Sequence, residues 1–377
     1  MMRAPRLQTP RPPFRWTRSA GLALALLTTG LVTAGAFGAG PVSAPTAAAT
    51  PAADFAARIQ GLSEPSGYFD TDNLISNESS YLHVMPALEE RGVHGGVYIG
   101  VGPDQNFSYI AKVRPSMAYV VDIRRDNLLL HLLFKALFEL APTRLEYLAL
   151  LTGRAPPPEK LRTSDLALPE ILRWVDTAPA ADHTTVRRQV ETTLSRYGVP
   201  LTGTDLENIA RFHAAFIADR LDLQFHSFGR RPNGFYPTFR QLLMATDRTG
   251  RRWSYLDSDE AYRFLRDLQG RDAIVPVVGD VSGPHALRAI GAEMSARGLR
   301  LSAIYVSNVE DYLYRGSRFG AWVQNLGGLP RVAEAVVIRS VFGGGPSVSE
   351  VQSVETLTAG YAAGRYQSYG DLVYRTR

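Results

Sequence analysis

The chain has 377 residues, of which 45% are hydrophobic, so it can bury the core of one large domain or two ordinary ones. Its formal net charge is +5, but five arginines precede residue 20, so charge gives no reason to expect a nucleic-acid partner for the rest of the chain. The absence of cysteine excludes disulfides, cysteine nucleophiles and cysteine metal ligands.

The N-terminus is predicted to direct export. Basic residues precede the apolar run Ala20–Phe37, so residues 1–40 are predicted to be a signal peptide or an uncleaved membrane anchor, which would be the chain's only contact with a membrane. The bulk of the chain is then periplasmic or secreted. If the start codon is misassigned and residues 1 to about 50 are not translated, the chain instead stays in the cytoplasm. Residues 41–54, rich in Ala, Pro and Thr, are predicted to be a flexible linker before an α/β domain, 55–377.

The first part of this domain is predicted to contain two helices and a polar loop. Phe55–Leu62 is predicted to be a short helix, and Ser79–Arg91 a helix capped from residues 76–78. The intervening loop, Ser66–Glu78, is polar, and the helix that follows it leads directly into the next strand, so this loop is a candidate lid close to a ligand pocket. Asn77 and Glu78 are therefore candidate substrate contacts, although an ordinary surface loop fits the same pattern.

A strand, a turn, a helix and a second strand follow in close succession. Val97–Val101 is a short apolar run, Gly100–Asn106 a turn of small and polar residues, and Phe107–Val113 a helical pattern. A second apolar run, Met117–Val121, ends at Asp122. This order is typical of the first half of a nucleotide-binding α/β unit, although it also fits an ordinary strand-helix-strand turn.

The turn has the chemistry of a nucleotide site. Gly100 and Gly102 allow a sharp bend and the approach of a ligand to bare main chain, while the helix that begins near Asp104 presents free N–H groups. Asp122, at the end of the neighbouring strand, can accept hydrogen bonds from two ribose hydroxyls. Gln105 occupies the position of the third glycine of the dinucleotide motif, which disfavours a nicotinamide-dependent oxidoreductase.

A long helical region is predicted between the second and third strands. Arg124–Leu140 is apolar nearly all round, so this helix should be buried, with His131 and Lys135 more typical of a rim than of a site. Residues from about 143 to 268 form a mostly helical insertion that suits a cap or a substrate wall. Within it, a helix is predicted over Leu206–Asp219, capped by Thr204 or Asp205.

An irregular aromatic segment closes the insertion. Leu221–Phe239 combines aromatic residues with arginine, histidine, glycine and proline. Such a loop suits recognition of a planar or anionic group, with Arg230 and Tyr236 as candidate substrate contacts. A loop whose aromatic residues fill the core is the alternative.

Further strands are predicted in the second half of the chain: Ala273–Asp280, Leu301–Val306, Ala335–Val341 and Leu372–Tyr374. Alternation of strands and helices predicts an α/β fold, with a mostly parallel, Rossmann-like sheet, helices on both faces and a helical insertion between strands 2 and 3. Polar clusters end four of these strands, at residues 100–106, Asp122, Asp280 and 307–311. Because ligands bind across the carboxyl ends of parallel strands, these clusters predict one site.

In this arrangement the chain resembles the class I S-adenosylmethionine-dependent methyltransferase superfamily. Residues 97–106 resemble its glycine loop, Asp122 its ribose-binding acid, Asp280 the acid near the adenine amino group, and residues 307–312 its motif at the fourth strand. More narrowly, YFDTDNLISNE and VVDIRRDNLLLHLLFK are similar to a group of bacterial proteins of unknown function with this fold. Ser307-Asn308 lacks the prolines of amine-methylating members.

The resemblance implies a methyltransferase-like protein with S-adenosylmethionine as its nucleoside cofactor and no metal. Gly100, Gly102, Asp122, Asp280 and Asn308 would then bind the cofactor, while no residue is identified as catalytic. The alternative is an exported, non-catalytic binding or scaffolding protein that retains the fold. A hydrolase is disfavoured, because no GxSxG follows a predicted strand.

Overall fold

A six-stranded sheet forms the centre of the computed structural model, which describes residues 51–162, 165–228, 234–343 and 345–374. The strand order is β3-β2-β1-β4-β5-β6, in which β1 to β5 are parallel and β6 is antiparallel to β5. The strands are β1 (Val97–Gly100), β2 (Met117–Asp122), β3 (Ile274–Val278), β4 (Leu301–Tyr305), β5 (Arg331–Val341) and β6 (Val348–Ser353). The predicted α/β class with a mostly parallel sheet is confirmed.

Helices connect these strands. In chain order they are α1 (Pro51–Leu62), α2 (Met85–Glu90), α3 (Gln105–Val113), α4 (Arg125–Leu140), α5 (Arg144–Leu151), α6 (Glu159–Arg162), α7 (Leu168–Thr177), α8 (His183–Ser195), α9 (Gly203–Asp219), α10 (Phe239–Leu243), α11 (Asp259–Gly270), α12 (Ala286–Ala296), α13 (Val309–Arg315), α14 (Phe319–Gly327), α15 (Val354–Ala362) and α16 (Tyr369–Tyr374). Short 3₁₀ turns occur at Tyr81–Val84 and Arg220–Asp222.

The helices α4 to α11 all lie between β2 and β3 in the chain, where the sequence predicts a helical region. Of these, α4 is buried along most of its length because it contacts β2 and β3 on one side and α5, α8, α9 and α11 on the others. Its nearly continuous apolar sequence is the reason that it can occupy this central position. Elsewhere, α12 packs against both α1 and α14.

The C-terminal elements differ from the prediction. Leu372–Tyr374 is not a strand but part of α16, whose start is capped because the Ser368 hydroxyl accepts from the Asp371 amide at 3.1 Å. The sixth strand is instead Val348–Ser353, which the sequence analysis missed. Four of its six residues are polar, Ser349 and Ser353 on one face and Glu350 and Gln352 on the other, so its sequence lacks the apolar pattern of a half-buried strand.

Two helix starts also differ. The helix predicted over Ser79–Arg91 is a 3₁₀ turn followed by α2, and the Ser80 hydroxyl before this turn contacts Ser347 and Ser349 at 3.0 Å and forms no cap hydrogen bond. The helix α9 is capped by Thr202 and not by Thr204 or Asp205.

Tyrosine and phenylalanine side chains fill much of the core beside α3. Phe107 lies at the centre of this cluster, with Phe134, Phe138 and Tyr255 each in edge contact at ring distances of 5.3–5.7 Å. This packing fixes α3, and with it the turn between β1 and α3. Among the residues that the structure describes, no helix is both long and apolar enough to cross a membrane. The predicted signal peptide or anchor, 1–40, lies outside those residues.

Candidate functional site

The turn between β1 and α3 is held by a side chain that the sequence analysis did not single out. Asn106 donates to the main-chain carbonyls of Val101, Gly102 and Pro103 at 2.7–3.2 Å and accepts from the Tyr98 hydroxyl at 2.8 Å. A Cβ at Gly100 would lie 1.9 Å from the Asn106 amide oxygen. The glycine at position 100 therefore makes room for Asn106.

Gly102 has a different role in the same turn. Its φ is +82°, a conformation that L side chains rarely adopt, so glycine is required here by the backbone. A Cβ at this position would contact the side-chain nitrogens of Gln105 and Asn73, at 3.3 and 3.6 Å. The polar loop that precedes α2 therefore approaches the glycine turn directly.

His131 also contacts this turn, and its predicted position at a rim is wrong. The ring is 2% exposed, and Nε2 lies 2.9 Å from the Gly102 carbonyl, so Nε2 carries the proton that it donates. Burial lowers the pKa of His131 to about 4, which keeps the ring neutral at physiological pH. Lys135 is buried as well, and its amine pairs with Asp272 at 2.7 Å.

Asp122, the candidate ribose acid, lies at the end of β2 but is paired with its neighbour Arg124. The guanidinium donates from Nε to Oδ1 at 3.1 Å and from Nη2 to Oδ2 at 3.0 Å. Its remaining nitrogen, Nη1, donates to the carbonyls of Thr71 and Asp72 at 2.9 and 3.3 Å. Arg124 thus links the carboxylate to the polar loop.

Residues 63–72, called the strap below, run across the carboxyl ends of β2 and β3. Glu64 N–H donates to the carbonyl of Val278 at 2.9 Å, and Gly67 N–H donates to that of Ile123 at 2.6 Å. The Glu64 carboxylate accepts from the Asp280 amide at 2.9 Å, at the point where β3 ends. These main-chain bonds hold the strap over two of the strand ends that the sequence predicted to bind a cofactor.

Asp280, the candidate adenine contact, is also engaged by its own chain. Its carboxylate pairs with Arg318 and accepts from the amide and hydroxyl of Ser282 at 2.8 and 2.7 Å. Arg318 is half exposed, at 55% of its side-chain surface. This pair can therefore exchange with solvent more readily than the buried Asp122–Arg124 pair.

Several buried polar atoms of the strap, α3 and α4 have no hydrogen-bond partner within the described residues. They are Thr71 Oγ1, Gln105 Oε1, both amide atoms of Asn127, and His131 Nδ1. Asn127 and His131 lie one turn apart on α4, and His131 contacts Gly102. Because buried polar groups in folded proteins almost always have partners, this cluster fits contact with bound water or with the polar part of a ligand.

Glu78, a candidate substrate contact, is the centre of a buried polar network instead. The hydroxyls of Ser307 and Ser340 both donate to its carboxylate, and the side chain is 1% exposed. Burial raises the pKa of Glu78, and the two serine hydrogen bonds oppose this rise. Glu78 therefore joins the end of the polar loop to the ends of β4 and β5, and Asn77 beside it is only partly buried.

The end of β4 contains a strained residue. Ser307 has a φ of +52°, in the left-handed region that is uncommon for residues other than glycine, and its hydroxyl reaches Glu78. Asn308 follows at the N-cap position of α13 but makes no side-chain cap bond there. Its half-buried amide therefore remains at the carboxyl edge of the sheet, where the sequence predicts it.

The aromatic loop lies beside the strap and not in the sheet. Phe228 N–H donates to the Asp70 carbonyl at 2.8 Å, and Asp72 N–H donates to the His226 carbonyl at 3.0 Å. Tyr236 packs edge-on against Phe225 at 5.1 Å and is partly buried. Arg230 lies outside the described residues.

Two cavities lie away from the glycine turn. One of about 760 Å³ follows the edge of β6, and one of about 450 Å³ lies between α1, α4 and α11; neither is lined by Gly102, Asp122 or Asp280. The strap and the paired carboxylates account for the closed edge at β2 and β3. Among the described residues, no group of three or more His, Asp or Glu side chains is placed to hold a metal ion.

One family profile matches the chain. Its description is "Domain of unknown function (DUF7790)", and it covers residues 73–157 and 211–368, more than half of the chain. The matched segments include the glycine turn, Asp122, Asp280 and Asn308, and they leave out the strap. No curated protein matches the chain.

Proposed function

This chain belongs to the DUF7790 family, and we propose that it is a methyltransferase-like protein that binds S-adenosylmethionine at the carboxyl edge of its sheet. The observation that carries the proposal is the glycine turn, next to an acid at the end of β2, together with buried polar atoms of α3, α4 and the strap that have no partner among the described residues. Nucleoside cofactors bind at this position in Rossmann-like sheets.

The strand order supports a Rossmann-like arrangement. The first five strands follow the order 3-2-1-4-5, so the direction of the order reverses beside β1, between the glycine turn and the end of β4. Ligands of open α/β sheets bind at such reversals. The antiparallel β6 at the end of the sheet departs from the fully parallel form.

The residue types at this edge fit the polar parts of the cofactor. Asp122 suits two ribose hydroxyls, Asp280 the adenine amino group, and the main chain at Gly102 the amino-acid part. Asn308 suits the region of the transferred methyl. When bound, the cofactor supplies an activated methyl group. The contribution of this chain would be to hold the acceptor in line and to exclude water.

Cofactor binding requires Asp122 to exchange its partner. Arg124 donates to both oxygens of the Asp122 carboxylate. Arg124 also donates to the carbonyls of Thr71 and Asp72 in the strap. Release of Arg124 would therefore both expose the carboxylate and loosen the strap. We assign the strap the role of a lid, and the adjacent aromatic loop with Tyr236 the role of acceptor contact.

The second candidate is an exported, non-catalytic binding or scaffolding protein that retains the fold. The pairing of Asp122 with Arg124 favours it, because both carboxylate oxygens already accept hydrogen bonds from the chain itself. The predicted export signal favours it too, since S-adenosylmethionine is made in the cytoplasm. A β-lactamase reporter fused after Arg377 tests export: resistance of the host is expected, and reporter activity confined to the cytoplasm would contradict it.

Calorimetric titration separates the two candidates. S-adenosylmethionine, S-adenosylhomocysteine and NAD⁺ are titrated into the compact unit that begins at Ala49. We expect the first two to bind with a Kd below about 1 mM and NAD⁺ not to bind. Absence of heat from both S-adenosyl compounds at millimolar concentration would overturn the methyltransferase-like proposal and leave the non-catalytic one.

A further inference from the structure

Ser349 and Val351 on the outer edge of β6 line a groove that is bordered by the 3₁₀ turn Tyr81–Val84, which packs against β6. Ser349 is 6% exposed and Val351 is partly buried, and their main-chain groups are directed away from the sheet into this groove. The direction of these groups follows from the bonds of β5. Val306 N–H donates to the Ile338 carbonyl at 2.9 Å, and Ser340 N–H donates to the Ser307 carbonyl at 2.8 Å. The main-chain groups of Ile338 and Ser340 therefore face β4, and those of the alternate residues face β6.

The same alternation fixes the direction of the groups in β6. Arg339 faces β6 and lies opposite Glu350, so the main chain of Glu350 is directed at β5. Ser349 and Val351, which flank Glu350, direct their N–H and C=O groups away from the sheet. In the part of the chain that the structure describes, no main-chain hydrogen bond joins Ser349 or Val351 to a segment outside the sheet.

A groove of about 760 Å³ follows this edge, and its rim is basic. Arg91 at the end of α2, Arg248 and Arg365 line it, and all three are exposed and form no ion pair among the described residues. Arg339 reaches the same groove from β5 and is 1% exposed. Glu350 is the single acidic side chain of the lining.

Arg339 adds a donor at the base of the groove. Its Nε donates to Glu310 Oε2 at 2.5 Å and its Nη2 donates to Glu310 Oε1 at 3.3 Å, while Nη1 is buried without a partner among the described residues. The guanidinium is thus fixed in place with one N–H pair unused. A fixed, desolvated donor of this kind suits a carboxylate or carbonyl oxygen.

The positive charge of the rim indicates which kind of segment can bind in the groove. A second copy that paired its β6 edge with this one would bring two sets of arginines together, which is unfavourable. Residues 1–50 of this chain contain arginines and no acidic residue, so they do not complement the rim either. Unpaired strand edges bind extended peptides through main-chain hydrogen bonds, and the side chains then give specificity.

We propose that the groove along β6 binds an extended acidic segment of another protein, which adds to the sheet as a seventh strand beside Ser349 and Val351. The main-chain groups of these two residues bind the backbone of the segment. Arg91, Arg248 and Arg365 contact its carboxylates. The site lies at the opposite edge of the sheet from β3 and is independent of the cofactor proposed above.

Fluorescence anisotropy with the full chain tests this proposal. The probe is a labelled octapeptide of alternating glutamate and valine, compared with the same peptide carrying lysine in place of glutamate, and with the glutamate peptide N-methylated at every peptide bond. We expect only the unmethylated glutamate peptide to bind. Equal binding of the lysine or the methylated peptide, or no binding of any, would overturn the proposal.

Two variants locate the binding. Val351→Pro removes the outward N–H and leaves the bonds between β5 and β6 intact, and Arg91→Glu with Arg365→Glu reverses the rim. Each is expected to weaken binding at least tenfold, whereas Arg188→Glu, an exposed arginine of α8, should not change it. Unchanged affinity in the double arginine variant would overturn the proposal. Thermal unfolding of Val351→Pro shows whether that variant folds, and the test with the arginine variant does not depend on it.

Discussion

At the scale of single residues, the glycine turn depends on the contact between Gly100 and Asn106. The Asn106 side chain holds three carbonyls of the turn and occupies the space beside the Gly100 Cα. The shape of the turn is therefore maintained by protein groups, whether or not a ligand binds. This role of Asn106 could not be predicted from the sequence, because asparagine is common in the first turn of helices.

Gly100→Ala is expected to destabilise the protein by about 1–3 kcal/mol, because the added methyl displaces Asn106 and leaves the carbonyls without their donor. The free energy of unfolding measured in urea reports the change. Gly61→Ala is the matched control, since a Cβ there meets nothing within 4 Å and the residue lies in α1. Equal stability of the two variants would contradict this account of the turn.

The Asp104 carboxyl, at the start of α3, should make the stability of the folded protein depend on pH. Its carboxyl is 5% exposed and accepts from the Tyr255 hydroxyl at 3.1 Å, and burial raises its pKa to about 7. Because the folded state binds this proton more tightly than the unfolded state, its contribution to stability is complete below pH 3.8. That contribution falls as the pH rises towards 7.

Asp104→Asn is therefore expected to lose less stability than the wild type between pH 5 and pH 8, by up to about 3 kcal/mol in the free energy of unfolding. The asparagine keeps an acceptor for Tyr255 and has no charge to bury. Denaturant titrations of both proteins across this pH range measure the difference. Parallel pH profiles of the two proteins would show that the Asp104 carboxyl is ionised in the folded state at little cost.

At the scale of elements, the helical region between β2 and β3 is fixed to the sheet through the start of α9. The Asp205 carboxylate accepts from the amide of Thr202, the N-cap residue of this helix, and pairs with Arg125 of α4 at nitrogen–oxygen distances of 2.8 and 2.9 Å. The Arg125 hydrogen bond lowers the pKa of Asp205 to about 2. Its contribution is present above pH 3.8 and is lost as the pH falls towards 2.

Asp205→Asn should destabilise the protein at pH 7 by about 1–3 kcal/mol, through the lost ion pair and the weakened cap. The difference from the wild type should shrink as the pH falls below 4. Thermal unfolding at pH 7 and pH 3 measures both effects. Glu191→Gln, which removes an exposed pair with Arg187, is the control and should change stability by less than about 0.5 kcal/mol.

The elements that the sequence predicted correctly are those with a strong apolar pattern. The strands β1 to β5 and the buried helix α4 have this pattern, so their type and order were predictable. The strand β6 lacks it, and its pairing with β5 depends on a contact outside its own segment. The strand that forms the proposed peptide-binding edge was therefore not predictable from the sequence.

The candidate site was predictable only in part, because strand ends can be located from the sequence but the partners of each side chain cannot. Asp122, Asp280 and Asn308 lie at the ends of β2, β3 and β4 as expected. Two of these pairings depend on the path of the strap. Arg124 pairs with Asp122, and Glu64 accepts from the Asp280 amide. The position of this irregular segment follows from tertiary contacts and not from a local pattern.

At the scale of the whole molecule, the strap, the aromatic loop and Glu78 connect one edge of the sheet from β3 to β5. The strap bonds to the ends of β2 and β3, the aromatic loop bonds to the strap, and Glu78 bonds to the ends of β4 and β5. Displacement of the strap from the end of β3 should therefore also loosen the contacts of the other segments along this edge of the sheet. The pair of Asp122 and Arg124 lies where the strap and β2 meet.

The central claim is that Asp122 binds the cofactor ribose and that Arg124 competes for it. Calorimetry of S-adenosylhomocysteine with Arg124→Gln, Asp122→Asn and the wild type tests both parts. We predict about tenfold tighter binding for Arg124→Gln and about tenfold weaker binding for Asp122→Asn. Arg271→Gln, which removes an exposed pair with Asp267, should bind like the wild type. Unchanged affinity in Asp122→Asn, or weaker binding in Arg124→Gln, would contradict the claim.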